Sequence, residues 1–493
     1  MKHLALLVFL AVLPVLAQVP GELPVAEAIV FKNGLAFVTR QGPLAFHDGE
    51  ARVPAPDALL GTLWVAAGDR TIDAVRAFNE TVGVDGAATS IGALIDANIG
   101  RIATLLVDDR EYTGKLLAAP EALVLLDVDG KVYAFNRGSV KHLTFATLPV
   151  LRVSTPTQRA ALTIQARGAD GAETATIRYL RSGLSWLPEY VVELLDDKRA
   201  RVSMRATLVN DAEDLRNARV RFAVGYPNFA FAGVPSPLTL QQGLQEILSA
   251  LARDPSGTRG RFDNSIASQM MVNVATAAGN DAMVFPVPPS TGESAEDLFF
   301  YEKDRLTVAK GQRVQLPILE QVVPLRHIYR WNAADGQVWH SISLTNNGST
   351  PWTTASALVM ANGKPLAQDM LAYTASGAPG EVKLTIATDV AVEHEEAEVE
   401  RKPRATERSG YSYASVVVEG TLTIRNYKRE AITVEVTKTI EGESTLREPA
   451  AEVTRLALQP NAINPSERLA WQVPVGAGGT AKVRYRYKVW VRE

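Results

Sequence analysis

The 493-residue chain has no cysteine. That excludes disulfides, thiolate metal sites, cysteine nucleophiles and a lipidated cysteine anchor. Histidine is scarce, at six residues, and no histidine has a second one two to four positions away, as a local metal site would need. Charge of one sign is not in excess: the net charge of −3 gives no general pull toward nucleic acid or an anionic surface. Long apolar runs are missing too. The one candidate, Leu4–Leu16, is interrupted by Pro14 and falls short of the roughly 20 residues that cross a bilayer.

That short run has another use. Met1-Lys2-His3 is a basic lead, and Val15 and Ala17 put small side chains where a signal peptidase reads them. Residues 1–17 are therefore expected to be a cleaved signal peptide, with the rest periplasmic or secreted and not inserted in a membrane. Such an address sets aside ATP-driven, nucleotide-cofactor and nucleic-acid roles, and no cofactor is expected. A cysteine-free exported protein must be held by burial and sheet hydrogen bonds alone. Its 46% hydrophobic content suffices for ordinary cores, and its length suggests two to four domains.

Residues 25–80 alternate with period two. Phe31-Lys32-Asn33-Gly34-Leu35 and His47-Asp48-Gly49-Glu50 each suggest a hairpin with a type I′ turn. An N-terminal β domain over 18–88 is the expectation, with His47 as a turn residue. Behind Thr89 and Ser90, the positions Ile91, Leu94 and Ile95 share a helical face, and Gly100 ends it. Five short apolar segments follow: 102–107, 112–117, 123–126, 132–135 and 140–145. Gly114 is placed for a sharp bend, and Asp129-Gly130 for a tight turn. One helix and five strands over 89–147 resemble an Sm-like or SH3-like small barrel. Mixed charge argues against RNA, and Tyr133 and Phe135, two apart on one strand, read as core.

From 148 to 493 the pattern is long antiparallel strands, interrupted at 228–297 by a stretch rich in small and polar residues. Within it Leu238, Leu240, Leu244, Ile247, Leu248 and Leu251 repeat at helical spacing after Ser236-Pro237, which predicts one amphipathic helix. Its polar face carries Gln241, Gln242, Gln245 and Glu246, so docking on its own domain is preferred to a membrane. Three strands end alike, at Asn210, Asn346 and Asn426, each followed by a polar turn. Their recurrence predicts a β-sandwich region. In the last strand Val483, Tyr485, Tyr487, Val489 and Val491 form one face. Lys482, Arg484, Arg486, Lys488 and Arg492 form a basic stripe on the other, read as a solvated face before a polyanionic glycan contact. The fold class is thus mainly β.

Several segments resemble one family in their order. Tyr179-Leu-Arg-Ser-Gly183-Leu-Ser-Trp186-Leu-Pro188-Glu-Tyr190, then Val209-Asn210-Asp-Ala-Glu213-Asp214 with Ala218-Arg-Val-Arg-Phe222, are similar to the C-terminal domain of mucoidy inhibitor A-type bacterial proteins. Asp304–Gly311, Gly420–Asn426, Leu469–Trp471 and Val483–Tyr487 fit its later strands, and Phe31–Arg40 resembles its start. The resemblance implies a β-rich fold and an envelope or secreted setting. It supplies no biochemical activity, only a link to exopolysaccharide overproduction. Two departures stand out: many members carry a coiled coil where this chain has the small barrel, and Leu215 replaces a frequent Trp.

Candidate chemistry is thin. His327 and His340 could lie on neighbouring strands, but alternation is taken to turn His340 away from Val338 and Ile342 into water. His394 sits in the acidic run Glu393–Arg401, which, with Arg401-Lys402-Pro403-Arg404, reads as a solvated linker. Calcium at Glu393, Glu395 and Glu396 matches no known loop spacing. Ser182 and Ser185 only touch the idea of a G-x-S-x-G elbow. Glu213 and Asp214 are adjacent, so they suit capping better than paired acid–base work, which needs carboxylates about 5–10 Å apart. Gly476–Thr480 lacks the lysine of a phosphate loop. No site residue is assigned. The expected function is non-catalytic binding or assembly in the envelope, with a protein or exopolysaccharide as partner. The rival is a glycan or peptide hydrolase using His327 or His340. A third reading makes the small barrel an oligomerisation ring.

Overall fold

The computed structural model describes residues 22–493 except 121, 169, 226, 242, 244, 247–248, 250–297, 409 and 457–461. The expected signal peptide, and positions 242, 244, 247–248 and 250–251 of the expected helix at 237–251, therefore lie outside the described residues; positions 245, 246 and 249 are helical. The chain is mainly β and forms two compact bodies, described separately. One comprises residues 37–181 and the segment from Ala230; the other comprises 27–36, 182–229 and the chain from 260 onward.

The early strands are β1 (Val25–Val30), β2 (Leu35–Phe46), β3 (Glu50–Pro54), β4 (Trp64–Ala67) and β5 (Ile72–Ala87). The His47–Glu50 turn is the expected type: Asp48 and Gly49 both have positive φ, and His47 and Glu50 exchange backbone hydrogen bonds. The Phe31–Leu35 turn is not. Only Gly34 has positive φ, and Asn33 instead accepts a hydrogen bond from the Leu35 amide at its side-chain oxygen. An Asx-type bond makes a longer loop stable without a left-handed Asn.

Helix α1 (Ile91–Ala97) starts at Ser90, whose hydroxyl accepts from the Ala93 amide at 3.1 Å. Five strands follow: β6 (Ile102–Val107), β7 (Arg110–Leu117), β8 (Leu123–Val128), β9 (Lys131–Asn136) and β10 (Val140–Thr144). Their order is β10-β6-β7-β8-β9, around a core of Ile95, Leu105, Leu116, Val124 and Leu126. Gly114 is required where β7 passes from β6 to β8, because a Cβ there would lie 2.3 Å from the Asp127 carbonyl oxygen. Strand β11 (Arg152–Ala166) pairs with β5 along their whole length, from Ile72↔Ala166 to Ala87↔Arg152. Residues 88–151 are thus an insertion at the far end of a two-stranded ribbon. Next to β3 the ribbon buries Ala161, Leu162 and Ile164, whereas residues 154–158 near the insertion are exposed on both faces. Strand β12 (Gly171–Ser182) pairs with β4.

The 228–297 stretch departs from its expected start. Pro237–Thr239 is a single 3-10 turn closed by Leu240 at φ +56, so no α-helix begins at Ser236-Pro237. Instead Val234 and Ser236 bond to the backbone of Leu60 and Ala58, and Gln241 donates to Asp57. Backbone bonding of this early segment to a neighbouring loop outcompetes helix propensity.

In the second body the strands are β13 (Leu184–Asp196), β14 (Arg199–Asn210), β15 (Leu215–Val224), β16 (Phe299–Val308), β17 (Gln312–Asn332), β18 (Trp339–Thr345), β19 (Ala355–Ala361), β20 (Lys364–Leu371) and β21 (Pro379–Ile386). They continue with β22 (Val390–Arg408), β23 (Tyr411–Asn426), β24 (Ile432–Glu441), β25 (Glu443–Glu448), β26 (Glu452–Arg455), β27 (Ser466–Val475) and β28 (Thr480–Arg492). One unit is built three times. A strand ends at a buried Asn, an antiparallel pair follows, a glycine turn reverses the chain, and a last strand returns along the first. The pairs are β15·β16, β19·β20 and β24·β27, and the returns are β17 along β14, β21 along β18 and β28 along β23.

The asparagines explain the repetition. Asn210 donates to the carbonyl of Val308, Asn346 to Thr374 and Asn426 to Val475. Each of these carbonyls immediately precedes a turn: Ala309–Gln312, Ala375–Ala378 or Gly476–Gly479. The turns contain Gly311, Gly377 and Gly478, all at positive φ. Each asparagine oxygen accepts from the amide two residues on. A buried amide meeting both donors and acceptors this way fixes where two sheets meet. Long strands tie the units together. β13 runs antiparallel to β14 and parallel to β19; β17 runs along β14, then β18, and ends parallel to β24.

Candidate functional site

The third sandwich holds the densest group of chemistry-bearing side chains. Tyr485 of β28 lies at its centre, directly over Gly420 of β23, where a Cβ would come within 2.2 Å of the ring. The Tyr485 hydroxyl donates to Glu396 at 2.5 Å and stands 2.7 Å from His394 Nε2. Lys438 of β24 pairs with Glu396 at 3.1 Å. Tyr487 and Trp471 flank the Tyr485 ring at 6.3 and 6.1 Å.

Electrostatics follow from this packing. Burial pushes the Tyr485 phenol far up, and the Glu396 acceptor adds to the shift. Burial also acts to raise Glu396, but Tyr485 and Lys438 outweigh it and hold the carboxyl below its ordinary value. Burial and then Lys438 lower His394. The polar atoms of this chain are spent on one another.

Glu393–Arg401 is therefore not a linker. It lies within β22, held by ladder bonds to β23 from Val390↔Asn426 onward. Sheet pairing tolerates charge where a strand is open to water. Period two places His394 and Glu396 on one face, with Glu393 and Glu395 on the other, so the three glutamates do not form one calcium site. Among the described residues no group of three metal-ligating side chains occurs.

His327 and His340 do meet, on adjacent strands β17 and β18. His327 Nδ1 stands 2.9 Å from His340 Nε2, and His340 stacks on Tyr329 at 4.6 Å. Burial, followed by His327 and Lys428, lowers His340 to about 4. It is half-buried rather than water-facing, because residues two apart on a strand share a face and His340 follows Ile342 inward. One N–H shared between the two rings joins them, with its donor set by the tautomers. Lys428, over Tyr329 at 5.5 Å, disfavours a cation beside it.

Lys32 is a half-buried lysine that sequence reasoning takes only as a turn residue. Its Nζ donates to Thr353 Oγ1 at 2.6 Å and to the Thr354 carbonyl at 3.0 Å, above Trp186. Burial lowers it to about 8. The Phe31-Lys32-Asn33-Gly34 loop was the available signal, since a lysine beside a glycine turn can fold back inward. Trp186 is itself buried, donating to the Ala223 carbonyl at 3.1 Å.

The remaining candidates stay apart. Ser185 donates to the Lys32 carbonyl, not to an imidazole. Asp214 caps the Ala309–Gln312 turn through the Lys310 amide, as its capping reading anticipates, and Glu213 is buried. Tyr133 is 38% exposed, not core; it lies 5.5 Å from Tyr112 at the side of β9 left unpaired within its sheet. On the basic stripe Arg486 pairs with Glu419, and Arg484 and Lys488 face Glu448 and Glu443 across β25. That neutralisation weakens the case for a polyanion there. No helix among the described residues is long and apolar enough to cross a membrane. No family model matches the chain, and no curated protein matches it.

Proposed function

We propose that this chain is an exported cell-envelope binding or assembly protein without catalytic activity, of the mucoidy inhibitor A-type, with an envelope protein or exopolysaccharide as its partner. One observation carries the reading. A small folded module, residues 88–151, is held at the end of a ribbon whose outer half is exposed on both faces. Isolated two-stranded ribbons are marginally stable. Keeping such a ribbon exposed makes sense where the module at its end must reach something. The sandwich repeats support the same reading, as stiff spacers offering sheet edges to extended partners.

The hydrolase reading has one observation in its favour, the convergence of His394, Tyr485, Glu396 and Lys438. A general acid or base must reach a substrate proton, however, and these groups bond mainly to each other. The test is direct. The chain lacking residues 1–17 should sediment with purified exopolysaccharide or envelope fragments, and lose that when the 88–151 module is removed. Turnover of envelope glycan or peptide substrates that disappears in Tyr485→Phe would replace this reading with the hydrolase.

A further inference from the structure

The neck between the ribbon and the small barrel carries an apolar protrusion. Leu148 is 83% exposed, Ile102 66% and Leu151 53%, with Val150 and Ile99 also exposed. These side chains sit on two short segments, 98–102 and 147–151, which are tied together. Asn98 is buried; its side chain donates to the Leu94 and Val150 carbonyls and accepts from the Val150 amide. Arg101 donates to the Leu148 carbonyl at 3.1 Å and to Thr147 Oγ1 at 2.7 Å. The exposed leucines are thus pinned outward by a buried amide and a guanidinium. A free loop would fold such side chains back against the barrel.

Two arginines frame the protrusion. Arg101 bonds to the loop itself, and Arg152 follows Leu151 and is exposed. Neither forms an ion pair with a carboxylate among the described residues, whereas Arg76 pairs with Glu50, Arg137 with Asp96 and Arg159 with Glu80. A cluster of exposed aliphatic side chains beside two arginines without ion pairs fits a bilayer surface, where the apolar groups enter the acyl boundary and the cations lie near anionic headgroups. It fits a flat protein partner poorly, since a projecting Leu148 would need a pocket cut for it.

We infer that the Leu148–Leu151 loop, with Ile99, Ile102, Arg101 and Arg152, is a docking site for an anionic lipid surface. This goes beyond the proposed function and does not depend on it, because a soluble partner for the barrel is not required. Docking of this kind is peripheral and reversible, so it is compatible with a chain that does not insert.

The test is flotation of the chain lacking residues 1–17 with vesicles of phosphatidylcholine plus phosphatidylglycerol, and with vesicles of phosphatidylcholine alone. Binding to the mixed vesicles is expected, with weak binding to the neutral ones. Leu148→Asp with Leu151→Asp should weaken binding about tenfold or more. Arg152→Gln should weaken it less and reduce its salt sensitivity. All three side chains are exposed, so an unchanged thermal transition separates lost binding from lost folding. Failure of the parent chain to float, equal flotation of the double aspartate variant, or equal binding to both vesicle types would overturn the assignment. So would a dimer in light scattering that Leu148→Asp dissociates, which would give the loop to a second copy.

Discussion

Asn346 and Gly377 hold each other across a sandwich corner. The Gly377 amide donates to the Asn346 carbonyl at 2.7 Å, while the Asn346 side chain donates to Thr374, just ahead of the glycine turn. Asn210 with Gly311 repeats the arrangement; at the third corner the backbone bond is reversed, the Asn426 amide donating to the Gly479 carbonyl while its side chain donates to Gly476. A side chain that serves a turn 28 to 98 residues away links local turn chemistry to the packing of two sheets.

Replacing any of the three by Ala should therefore be costly. Each substitution strands buried carbonyls and amides, at about 2–3 kcal/mol per site. Denaturant unfolding of Asn210→Ala, Asn346→Ala and Asn426→Ala should show similar losses. A loss confined to one of them would mean the three corners are not equivalent.

Acid should weaken the second body through His340. Its folded value, about 4, lies below the ordinary 6.5, so the unfolded chain binds the proton more readily. The contribution is intact above about pH 6.5 and is lost as pH falls toward 4. Allowing for solvent screening, about 1–2 kcal/mol is at stake. His340→Gln should flatten the stability profile over that window, and an unchanged profile would remove this group from the account.

Gly420→Ala should disturb Tyr485 by overpacking. With 2.2 Å available, the ring must shift, at about 1–3 kcal/mol. Tyr485→Phe keeps the ring and should cost less, leaving Glu396 to Lys438. If the alanine variant were as stable as the parent, the ring would not be seated as described.

Excising residues 88–151 and joining Ala87 to Arg152 through Asp-Gly should leave the rest folded. Those residues already face one another at the end of the ladder, which suits a two-residue turn. Retention of the remaining thermal transition is expected. Aggregation, or collapse of all strand signal in circular dichroism, would show that the module is structurally required.

Much of this fold was legible because period-two alternation is a local signal. The segments 102–107, 123–126 and 132–135, the His47–Glu50 turn and the three asparagine endings could all be read from neighbours in sequence. What could not be read were partners. Nothing near Asn210 points to the turn at 309–312, and nothing near His394 points to Tyr485. The acidic stretch 393–401 looked unstructured because composition reports solvent exposure, and an exposed strand and a linker are equally exposed. The Asp108-Asp109 turn went unnoticed because both residues take positive φ without a glycine. The neck loop was missed for the opposite reason: Leu148-Pro149-Val150-Leu151 looks like interior sequence, and only the Asn98 and Arg101 bonds turn it outward.

β17 contributes to three successive sandwiches, and β13 to two. No sandwich can melt alone without tearing hydrogen bonds from its neighbour, so heat or force should release them together. Force on the chain would meet one shared resistance rather than a staircase of separate yields, which suits a chain with no cysteine and therefore no disulfide to hold its shape.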